Sequence, residues 1–164
     1  MSTQLKNLSD FSETDVPPAA PYHFGIVVAE WNAVITNALY QGAYESLVEH
    51  GALIQNIYTF SVPGSFELTS GADILLKNRK LDAVICLGCV IQGETKHFDF
   101  ICNAVANGIS NVALKYSKPV IFGVLTTDNQ QQAEDRSGGK HGNKGVEAAV
   151  TAIKMAYLAE TLNS

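Results

Sequence analysis

The stretch Gly88-Cys-Val-Ile-Gln-Gly-Glu-Thr-Lys-His-Phe-Asp-Phe-Ile101 decides how this chain folds. Before it, Leu81 to Leu87 is a short apolar run rich in Val, Ile and Leu, the pattern of a strand covered on both faces. After it, Phe98, Ile101, Val105, Ile109, Val112 and Tyr116 recur at steps of three and four, the stripe of an amphipathic helix. A buried strand therefore stops, a glycine turn follows, and a helix begins at His97. In an open parallel sheet that carboxyl edge is where ligands bind. Gly93 allows close backbone approach, and the amides around Glu94 and Thr95, backed by the helix dipole, favour an anion such as phosphate. His97 then stands where it can move protons beside that anion; the plainer reading makes it a polar residue at a helix start.

Composition narrows the classes. At 164 residues, 46% hydrophobic and 16% charged, the chain suits one domain with an ordinary core. A net charge of -5 argues against a general nucleic-acid surface, although Arg136, Lys140, His141 and Lys144 could together hold one anionic group. No apolar run approaches the ~20 residues needed to span a bilayer, and the N-terminus lacks a basic-then-apolar leader, so a cytoplasmic protein with no membrane partner is expected. Cys86, Cys89 and Cys102 are an odd set for a secreted scaffold. Cys86 and Cys89 spell Cys-x-x-Cys, but an odd spacing on one strand puts them on opposite faces, which argues against a redox or zinc role.

Outward from this centre, residues 1–21 are polar, carry Pro17, Pro18 and Pro21, and show no periodicity; a mobile or extended arm is expected, able to dock on a neighbouring subunit. His23 to Ala29 reads as a first strand, ending at Glu30-Trp31-Asn32. Ile35, Leu39, Ala43 and Leu47 then share one helix face, and Gly51 signals the stop. Trp31 and Asn32 thereby share an edge with His97, where an indole is either packing or a flat wall for a ring. Leu53 to Val62 reads as a second strand, and Pro63-Gly64 turns into a helix whose first turn carries Ser65, Phe66 and Glu67. Glu67 suits the positive end of the dipole there, or accepts hydrogen bonds from ligand hydroxyls.

Pro119 to Leu125 is another apolar strand, with Phe122 either core or aromatic wall, and Thr127 with Gln130 forms a capping-box signature for a short helix. A basic, glycine-rich turn from Arg136 to Gly145 precedes a last helix with Val146, Ala149, Val150, Ile153 and Tyr157 on its apolar face. Such turns are usually solvated loops. Arg136, however, offers the fork that matches phosphate, and Lys144 places an ammonium against the dipole of a helix start, which invites a functional reading. Alternating strands and helices imply an α/β fold, a parallel sheet with helices on both faces.

Several separated stretches together resemble the lumazine synthase family: Glu30-Trp31-Asn32 with Ile35-Thr36, Val62-Pro-Gly-Ser-Phe-Glu67, Gly88 to Phe100, Phe122 to Thr127, and Gln132-Ala133 through Arg136 to Asn143-Lys144-Gly145. The resemblance covers the chain after the arm, so that residues 22–164 form a single lumazine synthase-like domain. It implies a flavodoxin-like three-layer sandwich with a four-stranded parallel sheet, which an arm from a neighbouring subunit can extend. It also implies a transferase of riboflavin biosynthesis that joins 5-amino-6-(D-ribitylamino)uracil to 3,4-dihydroxy-2-butanone 4-phosphate, with no metal and no organic cofactor.

Carried over by matching position, the resemblance makes His97 the acid and base. Arg136 holds the phosphate with the amides near Gly93, Glu94 and Thr95. Trp31 stacks on the pyrimidine, Asn32, Ser65 and Glu67 meet the ribityl hydroxyls, and Phe66 is a further residue of the substrate site. Val90, Ile91 and Lys144 contact ring polar atoms, and Phe122 closes the site from an adjacent subunit. The family pattern is departed from at Trp31, where Phe is common, at Gln92, where a basic residue is frequent, and at Ser65, where Ala is usual. A homo-oligomer is implied, a pentamer that in some members closes into a sixty-subunit shell, with riboflavin synthase as a candidate partner; the short Arg136–Lys144 turn is that of shell-forming members. The other reading is a shell protein that binds flavin or lumazine without catalysis. A flavodoxin-type electron carrier would need a Ser- and Thr-rich phosphate loop, which Glu30-Trp31-Asn32 does not supply.

Overall fold

A computed structural model describes Asn7 and residues 16–163. Four parallel strands in the order β2-β1-β3-β4 form the central sheet: β1 (Phe24–Ala29), β2 (Ile57–Val62), β3 (Ala83–Ile91) and β4 (Val120–Thr127). Helices α1 (Ala33–Glu49), α2 (Leu68–Asn78), α3 (His97–Tyr116) and α5 (Lys144–Asn163) cover it, and a short α4 (Gln130–Glu134) follows β4. The expected α/β sandwich is the observed fold.

Strand alternation sorts the core into two layers. Phe24, Ile26 and Val28 of β1, with Ile85, Leu87 and Cys89 of β3, pack with Ile35, Leu39, Ala43 and Leu47 of α1 and Ala149, Ala152 and Ile153 of α5. Val27 and Ala29, with Val84 and Cys86, pack with Leu68, Ala72 and Leu75 of α2 and Val105, Ile109 and Val112 of α3. Each fully buried Leu or Ile in these layers contributes about 1.5–3 kcal/mol. Cys86 and Cys89 do fall in opposite layers, and burial pushes their thiols up to about 12 and about 11, which leaves neither as a thiolate.

Most of the expected N-terminal arm lies outside the described residues. Within its described end, Ala19 is buried and donates its N–H to His50 O at 2.9 Å, and Val16 and Tyr22 pack on the α1 and α5 layer. The Tyr22 hydroxyl donates to Glu160 at 2.6 Å, and burial, reinforced by that carboxylate, pushes it up to about 12.

Four boundaries differ from the expectation. The central strand does not stop before Gly88 but runs on to Ile91, because β4 pairs with it as far as Thr127. The segment from Leu53 begins as a 3-10 turn over Ile54–Asn56; only Ile57–Val62 has a strand partner. Thr127 belongs to β4, and the cap of α4 is Asn129, whose side chain accepts from Gln132 N at 2.9 Å. The basic turn is an antiparallel hairpin of β5 (Ser137–Gly139) and β6 (Gly142–Asn143).

That hairpin is fastened to α1. Asn143 Nδ2 donates to Ala38 O at 2.9 Å, and its Oδ1 accepts from Gly145 N at 2.7 Å. Gly145 has no room for a side chain, since a Cβ there would lie 1.9 Å from Leu39 O.

Candidate active site

The carboxyl ends of β1 and β3 open into a cleft of about 580 Å³. Its walls come from four segments of the chain. Trp31 and Asn32 follow β1, Gly64 to Glu67 follow β2, Cys89 to Ile91 end β3, and His97 and Ile101 begin α3. Backbone bonds tie these ends together: Glu30 N to Val62 O at 2.8 Å, Trp31 N to Pro63 O at 3.2 Å, and Gln92 N to Thr127 O at 2.8 Å.

Asn32 is the most constrained residue of the site. It adopts φ 62° and ψ 46°, a left-handed conformation that costs most side chains about 1–2 kcal/mol and that Asn tolerates. Its carbonyl accepts from Ile35 N at 2.9 Å and Thr36 N at 3.0 Å, which starts α1, while its Nδ2 donates to Cys89 O at 2.9 Å. With the amide NH2 committed to β3, the amide oxygen is the half left to act as an acceptor.

Beyond the second strand, Ser65 to Glu67 form a 3-10 turn that runs straight into α2. Ser65 is buried, whereas Phe66 is exposed and Glu67 half-buried, its carboxylate folded back so that a Cβ on Gly64 would lie 3.2 Å from Oε2. Trp31 is 73% exposed, and with Val34, Phe66 and Phe100 it leaves large apolar side chains uncovered on the segments at this edge of the sheet.

Of the residues singled out in the sequence, Trp31, Asn32, Ser65, Phe66, Glu67, Val90, Ile91 and His97 line this one cleft. Gly93, Glu94 and Thr95 form the exposed loop between β3 and α3, where Thr95 Oγ1 accepts from His97 N at 3.4 Å. Phe122, Arg136 and Lys144 do not line it. Phe122 sits opposite Cys86 in β4, half-buried against the α2 and α3 layer. Arg136 Nη1 donates to Gln132 O at 3.2 Å, at the foot of the hairpin. Lys144 pairs with Glu147 at 2.7 Å, so its charge against the helix dipole is neutralised within its own chain. The i,i+3 spacing of Lys144 and Glu147 made that pair visible in the sequence.

Cys89, Ile101 and Gly64, none of which the sequence marks for the site, also line the cleft; the backbone carbonyl of Cys89, rather than its thiol, takes the bond from Asn32. Periodicity cannot flag a carbonyl. Among the described residues no cluster of three His, Cys, Asp or Glu could hold a metal ion, and no helix is long and apolar enough to cross a membrane.

The family model for 6,7-dimethyl-8-ribityllumazine synthase matches residues 21–160. The chain is 62% identical over 162 residues to the protein of that name from Cytophaga hutchinsonii, covering 99% of this chain and 100% of the relative. It is 55% identical over 158 residues to that of Flavobacterium johnsoniae, covering 96% of this chain and 83% of the relative. It is 55% identical over 155 residues to that of Parabacteroides distasonis, covering 94% and 97%. With the sheet, the cleft at its carboxyl edge and the match across nearly the full length in agreement, the chain belongs to the 6,7-dimethyl-8-ribityllumazine synthase family.

Proposed function

We propose that this cleft is where the chain condenses 5-amino-6-(D-ribitylamino)uracil with 3,4-dihydroxy-2-butanone 4-phosphate, giving 6,7-dimethyl-8-ribityllumazine in the penultimate step of riboflavin biosynthesis. Atoms balance with the release of phosphate and water. The 5-amino group adds to the ketone and expels water, the carbon–oxygen bond to phosphate breaks, and the ribityl-bearing nitrogen closes the second ring with loss of further water.

Roles follow from position. Trp31 offers the pyrimidine a flat face, and Asn32, Ser65, Phe66 and Glu67 surround the ring and its polyol. The backbone of Val90 and Ile91 meets ring polar atoms. His97, at the start of α3, gives and takes protons during imine formation and phosphate loss. The Gly93–Thr95 amides hold phosphate at the helix N-terminus, with Arg136 as the guanidinium partner. Because Gln92 carries no charge, Arg136 bears more of that task.

Phe122, Arg136 and Lys144 reach a cleft only in an assembly. The reading is therefore a homo-oligomer, a pentamer able to build a sixty-subunit shell, in which each chain supplies His97 to one site and Arg136, Phe122 and Lys144 to the next. The uncovered Trp31, Val34, Phe66 and Phe100 at the same edge support it. A cytoplasmic location suits three free cysteines, two of them buried.

The observation that carries this reading is the convergence of Trp31, Ser65 to Glu67 and His97 on one cleft in a chain of this family. Mixing the two substrates with the purified protein and following lumazine absorbance tests it. Enzyme-dependent product formation is expected, and binding of product without formation would instead favour a non-catalytic shell.

A further inference from the structure

The turn that carries Arg136 and Lys144 has too few residues to hold its own shape. Its strands β5 and β6 are three and two residues long, and even a longer isolated two-stranded hairpin is marginal in water. Asn143 supplies what is lacking. Its side-chain amide commits both donors and its acceptor to the backbone of three segments. Nδ2 donates to Ala38 O in α1 at 2.9 Å and to Ser137 O in β5 at 3.3 Å, and Oδ1 accepts from Gly145 N in α5 at 2.7 Å. Ser137 follows Arg136 in the chain, and Lys144 N donates to Arg136 O at 2.9 Å, so the amide grips the hairpin beside the residue that bears the guanidinium. Helix α1 is shaped to admit it: a Cβ on Gly42, in the middle of that helix, would stand 2.6 Å from Asn143 Cγ and Nδ2. Glycine in a helix interior is less favourable than alanine, and here the space it leaves holds the Asn143 amide.

We propose that Asn143 is the positioning residue of Arg136, holding the hairpin against α1 so that the guanidinium stands where the phosphate needs it. The inference rests on Arg136 being the guanidinium partner of the phosphate. A fork that binds phosphate through two bonds is sensitive to its placement, and a shift of about 1 Å in a group that orients substrate can cost on the order of a hundredfold. The Arg136 side chain bonds Gln132 O, within its own turn, and that bond moves with the hairpin. Lys144 is less exposed to loss of the amide. Its ammonium pairs with Glu147 on α5, and the start of that helix rests backbone to backbone on α1, where a Cβ on Gly145 would lie 1.9 Å from Leu39 O. Removing the Asn143 amide therefore acts on the phosphate end of the site and spares the pyrimidine end.

The test measures kcat and both Michaelis constants in Asn143→Ala, Gly42→Ala, Arg136→Ala and the double variant Asn143→Ala with Arg136→Ala. Asn143→Ala should raise the Michaelis constant for the butanone phosphate about three- to tenfold and leave that for the pyrimidine within about twofold. Gly42→Ala keeps the amide but pushes it from its seat; it should raise the same constant, and it carries the test if Asn143→Ala does not fold. The double variant separates positioning from general loosening. It should match Arg136→Ala, because a residue that acts through Arg136 has nothing further to lose once the guanidinium is gone. Factors that multiply in the double variant, equal rises in both constants, or unchanged constants in the folded Asn143 and Gly42 variants would overturn the proposal while leaving Arg136 in the site. If Arg136→Ala itself leaves the butanone phosphate constant unaltered, the reading of Arg136 falls and the proposal with it.

Discussion

Asn32 and Cys89 are joined by a hydrogen bond of 2.9 Å from a side-chain amide to a main-chain carbonyl, and both residues line the cleft. The bond ties the left-handed corner after β1 to the last residues of β3. Asn32→Ala loses the bond and with it the polar side chain that makes Asn tolerant of positive φ, and should cost about 1–3 kcal/mol of stability in denaturant unfolding. Asn32→Gly loses the bond but relaxes the backbone, and should cost less than Asn32→Ala. Equal losses would show that the conformation at residue 32 contributes nothing.

His97 is expected to accelerate rather than enable the reaction. Holding two small substrates in reacting geometry can supply roughly 7–11 kcal/mol, and one acid–base group adds on the order of a hundred- to ten-thousandfold. His97→Ala should therefore lower turnover by about a hundredfold or more yet leave measurable product above the uncatalysed rate. Steady-state rates check this, and an unaltered rate would remove His97 from the chemistry.

Arg136→Ala should raise the Michaelis constant for the butanone phosphate and leave that for the pyrimidine nearly unchanged, because only one substrate carries phosphate. Arg136→Lys keeps the charge but loses the fork, and should fall between the two. A matched rise in both constants would place Arg136 elsewhere in the mechanism.

Away from the site, Asp73 ties α2 to α3. Its carboxylate accepts from Lys115, from Lys77 at 2.9 Å and from the Tyr116 hydroxyl at 3.0 Å, and the Lys115 and Lys77 ammonium groups hold it well below the usual carboxylate range. A folded-state pKa below the unfolded one means that the unfolded chain binds more protons between the two values. The stabilisation is therefore complete above the unfolded value and is lost as pH falls through the folded one. Asp73→Asn should destabilise at neutral pH by on the order of 1 kcal/mol, since the lysines are exposed, and the difference should shrink in acid below about pH 4. A difference independent of pH would assign the effect to packing.

Much of this architecture is legible in residue spacing. The α1 stripe of Ile35, Leu39, Ala43 and Leu47 is fully buried, Gly51 takes φ 92° at the helix end, and α3 begins at His97. What spacing missed depends on partners distant in sequence. Gly88 looked like a strand end, but it is a mid-strand position kept free of a side chain by Ser65 and Leu68. Leu53 to Asn56 has the composition of a strand without a neighbour to pair with. The hairpin strands, three and two residues long, are too short to show alternation; Asn143 bonding to α1 holds them. In the site, the residues lining the cleft were identifiable because they cluster at strand ends, whereas Phe122, Arg136 and Lys144 lie outside that cleft.

The proposal of a site shared between neighbouring chains is tested most directly by mixing two damaged chains. His97→Ala and Arg136→Ala proteins, unfolded together in equal amounts and reassembled, should regain about a quarter of native activity, since random placement around a closed ring gives that share of sites an intact histidine and an intact arginine. Activity no greater than the sum of the two separate variants would contradict a site built from His97 of one chain and Arg136 of the next.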